Sequence, residues 1–152
     1  MTSTLTTYYF PSLSLGAGFG GAYEVQSNGV NTTTRTYYTI AGMTVAMQEC
    51  TDGTCADLVY FLTDHLGSVV AVTGAGDALL SQQRYLPFGG VRTSLGEITE
   101  TDLGYTGQRN LDAQGKVYSL GLMDYKARFY DPYITHLYTQ TVLNPISTIL
   151  NH

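Results

Sequence analysis

Charge is scarce in this chain. Only 12% of its 152 residues are Asp, Glu, Lys or Arg, against about a quarter in ordinary globular proteins. The seven basic residues, set against twelve acidic ones for a net charge of −5, form no cluster anywhere. A phosphate-backbone footprint is therefore missing, and nucleic acid is not an expected partner. No apolar run approaches the length of about 18 residues that a spanning helix needs, so no membrane span is expected. No Lys or Arg precedes Arg35, so the positive region of a secretory signal is absent, and any export information is expected to lie outside this chain. Cysteine is equally sparse, with Cys50 and Cys55 alone. His65 by itself does not complete a ligand set around them, so no metal and no cofactor is expected. Helical periodicity of normal length is also lacking.

What the chain has in quantity is Gly (17), Tyr (13) and Thr, within 43% hydrophobic residues. Tyr and Thr favour strands, and Gly marks the turns between them. Ala22-Tyr23-Glu24-Val25-Gln26 alternates as a half-buried strand does, and Ser27-Asn28-Gly29 is a turn before a second strand, Thr32 to Tyr38. Ala41-Gly42 breaks the chain before a strand from Met43 to Met47. Further strands are expected at Leu58–Leu62, Val69–Thr73, Ala78–Tyr85, Val117–Leu120 and Leu122–Tyr130, with Tyr105-Thr106-Gly107 extended and Val91 to Asp102 irregular. Asp131-Pro132 stops the last strand, because proline has no N–H to give a ladder. Turns recur every ten or so residues, the spacing of an antiparallel β-meander.

The centre of the pattern is Tyr60 to Thr73, where two apolar runs flank Thr63-Asp64-His65 and Gly67. Asp64 can accept bonds from backbone N–H groups, and Gly67 can take positive φ, which makes a structural corner. A catalytic Asp64/His65 pair would need a nucleophile beside it, and Ser68 follows Gly67 rather than sitting on a nucleophile elbow. Cys50 and Cys55 flank Thr51-Asp52-Gly53-Thr54, and Asp-Gly is a strong hairpin signal. Across such a turn the two thiols can face each other, so a local disulfide is open to them in an oxidising compartment.

The run Tyr60-Phe61-Leu62-Thr63-Asp64-His65-Leu66-Gly67-Ser68, then Val69 to Thr73, then Arg84-Tyr85-Leu86-Pro87-Phe88-Gly89, resembles the bacterial RHS repeat-associated core domain, related to the YD-repeat shells. Further blocks follow in order: Gly104-Tyr105-Thr106-Gly107-Gln108-Arg109, and Leu122 to Pro132 with Met123-Asp124-Tyr125 and Arg128-Phe129-Tyr130-Asp131. Upstream, Gly20 to Val25 and Tyr37 to Gly42 resemble the preceding strands. The resemblance covers residues 20–132, flanked by an expected poorly anchored leader (1–19) and a diverged or truncated tail (133–152). It implies an all-β fold in which this antiparallel meander is one segment of a long sheet spiralling into a hollow shell. It also implies structural roles for Asp64, His65, Gly67, Pro87 and Gly89.

The chemistry implied by the resemblance is self-cleavage by an aspartic-protease-like pair, which releases a C-terminal region, often a toxin. Two close carboxylates share a proton, so the pair can activate water and protonate a leaving group. The best match to the first acid is Asp112, with Arg109 supporting it, although Asn110-Leu111 intervene. The position of the second falls near Thr141, and no Asp or Glu follows Asp131. Neither Thr141 nor His136 can share a proton as a carboxylate does. The expectation is therefore a structural shell segment without self-cleavage, secreted or at the cell surface in its full-length context. Its expected partners are upstream RHS/YD repeats and a C-terminal toxin or a neighbouring cell's surface. Two rivals stand beside it. One is an autoproteolytic core using Asp112 with Asp124 or Asp131; the other is a carbohydrate-binding module that uses tyrosine-rich sheet faces.

Overall fold

A computed structural model describes residues 6–16, 19–92, 96–111 and 121–139. Among these residues, twelve strands carry nearly all of the regular structure, and the described helical segments are single 3₁₀ turns. The first eight strands are β1 (Thr6–Gly16), β2 (Phe19–Ser27), β3 (Thr32–Ile40), β4 (Met43–Thr51), β5 (Thr54–Cys55), β6 (Val59–Thr63), β7 (Val69–Thr73) and β8 (Leu79–Gln82). They form one open sheet in the order β1-β2-β3-β4-β6-β7-β8, with β5 paired to β4. The remaining four are β9 (Arg109–Asn110), β10 (Met123–Asp124), β11 (Arg128–Asp131) and β12 (His136–Thr139), in the order β12-β11-β10-β9. The fold is all-β, as its residue pattern implies.

Turn chemistry sets the registers. Between β2 and β3, Asn28 Oδ1 accepts the N–H groups of Val30 and Asn31, and Gly29 takes φ +82°. Ala41-Gly42 joins β3 to β4 with both φ positive, at +52° and +82°, and Asp52-Gly53 joins β4 to β5 in the same way, at +50° and +84°. Both two-residue loops have the positive φ pair whose twist matches antiparallel strands. Asp52 also holds the start of β3: its N–H donates to the Thr32 carbonyl at 2.9 Å, and its Oδ1 accepts the Thr32 N–H at 2.8 Å.

Two compact units divide the chain, residues 1–62 with 71–80, and residues 63–70 with 81–152. The first unit buries Tyr37, Ala46, Met47, Phe61 and Val72, and the second buries Val69, Ile98, Leu122 and Met123. In the first unit, one sheet face also carries Glu24, Arg35 and Glu49, register partners in a row across β2, β3 and β4. The Arg35 guanidinium lies 2.7 Å from Glu49 Oε2 and 3.8 Å from Glu24 Oε1, and the Tyr37 hydroxyl donates to Glu24 Oε2 at 3.3 Å. Burial opposes the charge of Arg35, but the hydrogen bond and charge of Glu49, with Tyr37 and Glu24, outweigh it and raise the guanidinium pKa.

Several elements differ from the sequence expectation. Within residues 1–19, Thr6–Gly16 form β1 and pair antiparallel with β2; the register shifts between Phe10 and Leu13, around Pro11, whose missing N–H interrupts a ladder. Tyr105–Gly107 is a 3₁₀ turn rather than extended, because Thr106 adopts φ +52°. The single strand expected over Leu122–Tyr130 is two, β10 and β11. Lys126 turns the chain between them at φ +65°, its N–H held at 2.7 Å by Asp124 Oδ1. The strand expected over Ala78–Tyr85 is confined to Leu79–Gln82. The expected strand Val117–Leu120 lies outside the described residues.

Candidate functional site

The sequence blocks at residues 63–70, 84–89, 104–109 and 122–132 meet in the second unit. The corner at 64–68 is built by Asp64, whose Oδ1 accepts the N–H groups of Leu66 and Ser68, each at 2.9 Å. Its backbone closes the loop, with Asp64 N–H donating to the Ser68 carbonyl and Gly67 N–H to the Asp64 carbonyl, both at 3.0 Å. Gly67 sits at φ +82°, where a side chain is strained. His65 stands exposed on the outside of the corner. Ser68, by contrast, is fully buried. Its Oγ accepts the Thr106 N–H at 3.0 Å, and Val69 N–H donates to the Gly104 carbonyl at 3.1 Å. The serine is thus a fastener between corner and turn rather than an accessible nucleophile.

Tyrosine hydroxyls supply the other fasteners. Tyr85 donates to the Val69 carbonyl at 3.1 Å, Tyr105 to the Pro87 carbonyl at 2.8 Å and Tyr130 to the Phe88 carbonyl at 2.9 Å. The Tyr125 and Thr106 hydroxyls share a hydrogen bond at 2.7 Å. Their rings also pack in pairs, Tyr85 with Tyr105 and Tyr125 with Tyr130, each at 5.6 Å between centroids. Pro87 and Gly89 belong to the turn that these hydroxyls grip: Gly89 N–H donates to the Leu86 carbonyl at 2.9 Å, and Leu86 N–H to the Gly90 carbonyl at 2.7 Å. Gly89 has φ +89°, and a Cβ there would lie 2.6 Å from Cδ1 of Tyr105, so the ring rests directly on the glycine. Burial pushes the Tyr85 phenol up to about 12, against a smaller opposing effect of Gln83. The Tyr130 phenol is raised too, by desolvation first and then by Tyr105, Tyr125 and Asp131.

The acids have mostly structural partners. Arg109 pairs with Asp102, and Asn110 N–H donates to the Asp102 carbonyl at 2.7 Å. Asp102 was not singled out by its sequence, because it ends a polar passage with no periodic pattern to mark it. Asp124 Oδ1 holds the Lys126 N–H, and Asp131 Oδ1 accepts the N–H groups of Tyr133 and Ile134 at 2.8 and 3.3 Å. Asp112 and Thr141 lie outside the described residues. A cavity of about 120 Å³ beside the ion pair is lined by Gln83, Tyr85, Ile98, Thr101, Asp102 and Asn110 among others. It is smaller than the roughly 300–1,000 Å³ of small-molecule sites. Gln83, buried in its wall, accepts the Ile98 N–H at 3.0 Å. Among the described residues, no buried side-chain polar atom lacks a partner and no three His, Cys, Asp or Glu side chains gather as a metal site.

In the first unit, Cys50 and Cys55 are joined by a disulfide, as opposed residues of β4 and β5 with Cα atoms 3.9 Å apart. No described helix is long and apolar enough to cross a membrane.

The architecture is thus antiparallel β with open sheets, and in the second unit the turns are bolted to one another through main-chain carbonyls and side-chain hydroxyls. It is similar to the crystal structure of TcdB2-TccC3-TEV, with a TM-score of 0.52 and 14% sequence identity. That match covers 89% of this chain and 7% of the other, so the chain spans a small part of its neighbour's length. At this identity the likeness shows the fold alone, an RHS-like one. No protein-family model and no curated protein matches the chain.

Proposed function

We propose that this chain is a wall segment of an RHS/YD-repeat shell, of the kind that encapsulates or presents a C-terminal effector, and that it does not cleave itself. The observation that carries the reading is the interlocking of the sequence blocks in the second unit. Asp64, Ser68, Tyr85, Tyr105, Tyr125 and Tyr130 are all engaged in holding turns together. A cluster whose polar groups are bonded to fixed partners within the fold builds rigidity, whereas acid–base catalysis needs a group able to exchange its proton with a substrate. The open sheet and the likeness to an RHS-repeat toxin complex support the same role. In that setting upstream repeats continue the wall, an effector lies beyond the C-terminal end, and the whole is secreted or displayed at the cell surface.

Two measurements test this. A reporter fused beyond His152 should remain attached from about pH 4 to about pH 8, a window that takes in the upper, proton-sharing step of a carboxylate pair. Cleavage that disappears in Asp112→Asn would replace the structural role with aspartic self-cleavage. Separately, an RHS/YD-repeat segment supplied in trans should co-purify with the chain and slow exchange of the β1 amides, since β1 ends the strand order. A chain that neither binds such repeats nor changes its exchange is not a shell wall.

A further inference from the structure

The first unit presents one sheet face with no charge on it. β2, β3, β4 and β6 contain three charged residues, Glu24, Arg35 and Glu49, and all three share the opposite face. The uncharged face carries Tyr8, Phe10, Tyr23, Tyr38, Ile40, Met43, Tyr60 and Leu62, each 39–58% exposed. Large apolar side chains have about 150–250 Å² each to bury, so these eight present on the order of 700 Å². Scattered exposed hydrophobes need no explanation, but a contiguous patch of this size marks an interaction surface. It also approaches the roughly 800 Å² per partner of a stable protein interface.

The relief of the face says what fits it. Gly21 on β2 is the register partner of Tyr38 on β3, Tyr38 of Ala46 on β4, and Ala46 of Tyr60 on β6. Across four adjacent strands the row reads hole, knob, hole, knob. Ala46 is 6% exposed although it belongs to the open face, because a tyrosine flanks it on either side. Gly21 keeps its hole empty for a backbone reason: a Cβ there would come within 2.9 Å of the Tyr37 carbonyl. Read backwards, the same row is knob, hole, knob, hole. It is its own complement, which is the condition for a two-fold interface.

We propose that this face docks a second copy of the chain, the two sheets stacking about 10 Å apart as in a β-sandwich. The two-fold axis lies between the sheets, parallel to the strands, and passes between β3 and β4. Reversal of strand order about that axis sets each β3 residue over its own β4 register partner in the second copy. Tyr38 enters the hole at Ala46 of the second copy, Ile40 meets Met43, polar Thr36 meets polar Gln48, and Tyr60 fills the hole at Gly21. A charged partner finds no counter-charge on this face. Edge pairing is a separate mode, since it uses main-chain groups and leaves these side chains uncovered.

The test is sedimentation equilibrium of the full chain over a concentration series. A monomer–dimer equilibrium is expected, weakened at least about tenfold by Tyr60→Arg and, separately, by Tyr38→Arg. Both side chains are exposed in the monomer, so circular dichroism, and the melting temperature at a concentration low enough for the parent to be monomeric, should stay at parent values; Met43→Arg at the rim provides a third variant should either fail to fold. Hydrogen exchange should leave the outer β1 amides equally fast in monomer and dimer. A monomer at every concentration, a dimer indifferent to all folded Arg variants, or an open polymer with protected β1 amides each overturns the proposal. A monomer retained on an insoluble neutral polysaccharide, and released by Tyr60→Arg, also overturns it and assigns the face to a glycan.

Discussion

Replacement of Arg35 by Met tests how the first unit tolerates charge on its covered sheet face. Arg35 lies between Glu24 and Glu49, with 14% of its side chain exposed, and the Glu24 side chain is 8% exposed. At 3.8 Å, a unit charge pair contributes about 4 kcal/mol at an effective dielectric of 20. Without the guanidinium, Glu24 retains the Tyr37 hydroxyl and faces Glu49 across the sheet. Breaking a buried pair from one side costs about 3–5 kcal/mol. Water reaching the vacated space at the more exposed Glu49 end moves the expectation to the lower limit, about 3 kcal/mol. With a urea m-value of about 2 kcal/mol/M, the unfolding midpoint should fall by about 1.5 M. The mechanism is a buried carboxylate deprived of the guanidinium charge rather than lost packing, so adding Glu24→Gln to Arg35→Met should restore more than half of the loss. Glu49→Gln alone should cost about 1 kcal/mol or less, since Glu49 is 38% exposed. Urea unfolding followed by circular dichroism reads all four chains. If Arg35→Met stays within about 0.5 kcal/mol of the parent, or the double variant is no more stable than the single, the buried-charge reasoning is wrong.

The second unit makes equally direct predictions. Tyr85 keeps its proton to about pH 12 when folded and to about pH 10 when unfolded; stability is therefore full below about pH 10 and falls as pH rises towards 12. The loss reaches at most about 2–3 kcal/mol. Tyr85→Phe should flatten that alkaline loss in pH-dependent urea titrations, at a cost near neutrality of about 1 kcal/mol for the hydrogen bond to Val69; a loss of equal depth in the variant would dismiss Tyr85 as its source. Gly89→Ala should lower stability by at least about 2 kcal/mol, because the Cβ meets the Tyr105 ring at a positive φ. In a Tyr105→Ala background, where the ring is gone, the same Gly89→Ala substitution should cost less, and an undiminished cost there would refute the clash. Asp64→Ala should cost about 2 kcal/mol for two carboxylate–amide bonds, and Asp64→Asn about half as much; thermal melts that rank the two the other way would contradict the corner's geometry.

The all-β class, the hairpins at Ser27-Asn28-Gly29 and Asp52-Gly53, the chain break at Ala41-Gly42 and the Asp64–Gly67 corner were legible in the sequence alone. Each depends on local physics: alternation puts one face of a strand in the core, glycine takes positive φ, and Asp or Asn side chains reach amides two to four residues ahead. Where local preference was overridden, longer-range bonds decided. Thr106 is a strand-favouring residue held at positive φ while its N–H is bonded to Ser68 and its hydroxyl to Tyr125, 38 and 19 residues away in sequence. The partner of Arg109, the burial of Ser68, the tyrosine grip on the Pro87–Gly89 turn and the line of Glu24, Arg35 and Glu49 across three strands follow no sequence period. The repeat of two along a strand says which side chains share a face, so the sequence alone could separate the charged face from the tyrosine face. Which residues stand side by side across the strands, including the alternation of Gly21, Tyr38, Ala46 and Tyr60, is set by register, and register exists only once the sheet has formed.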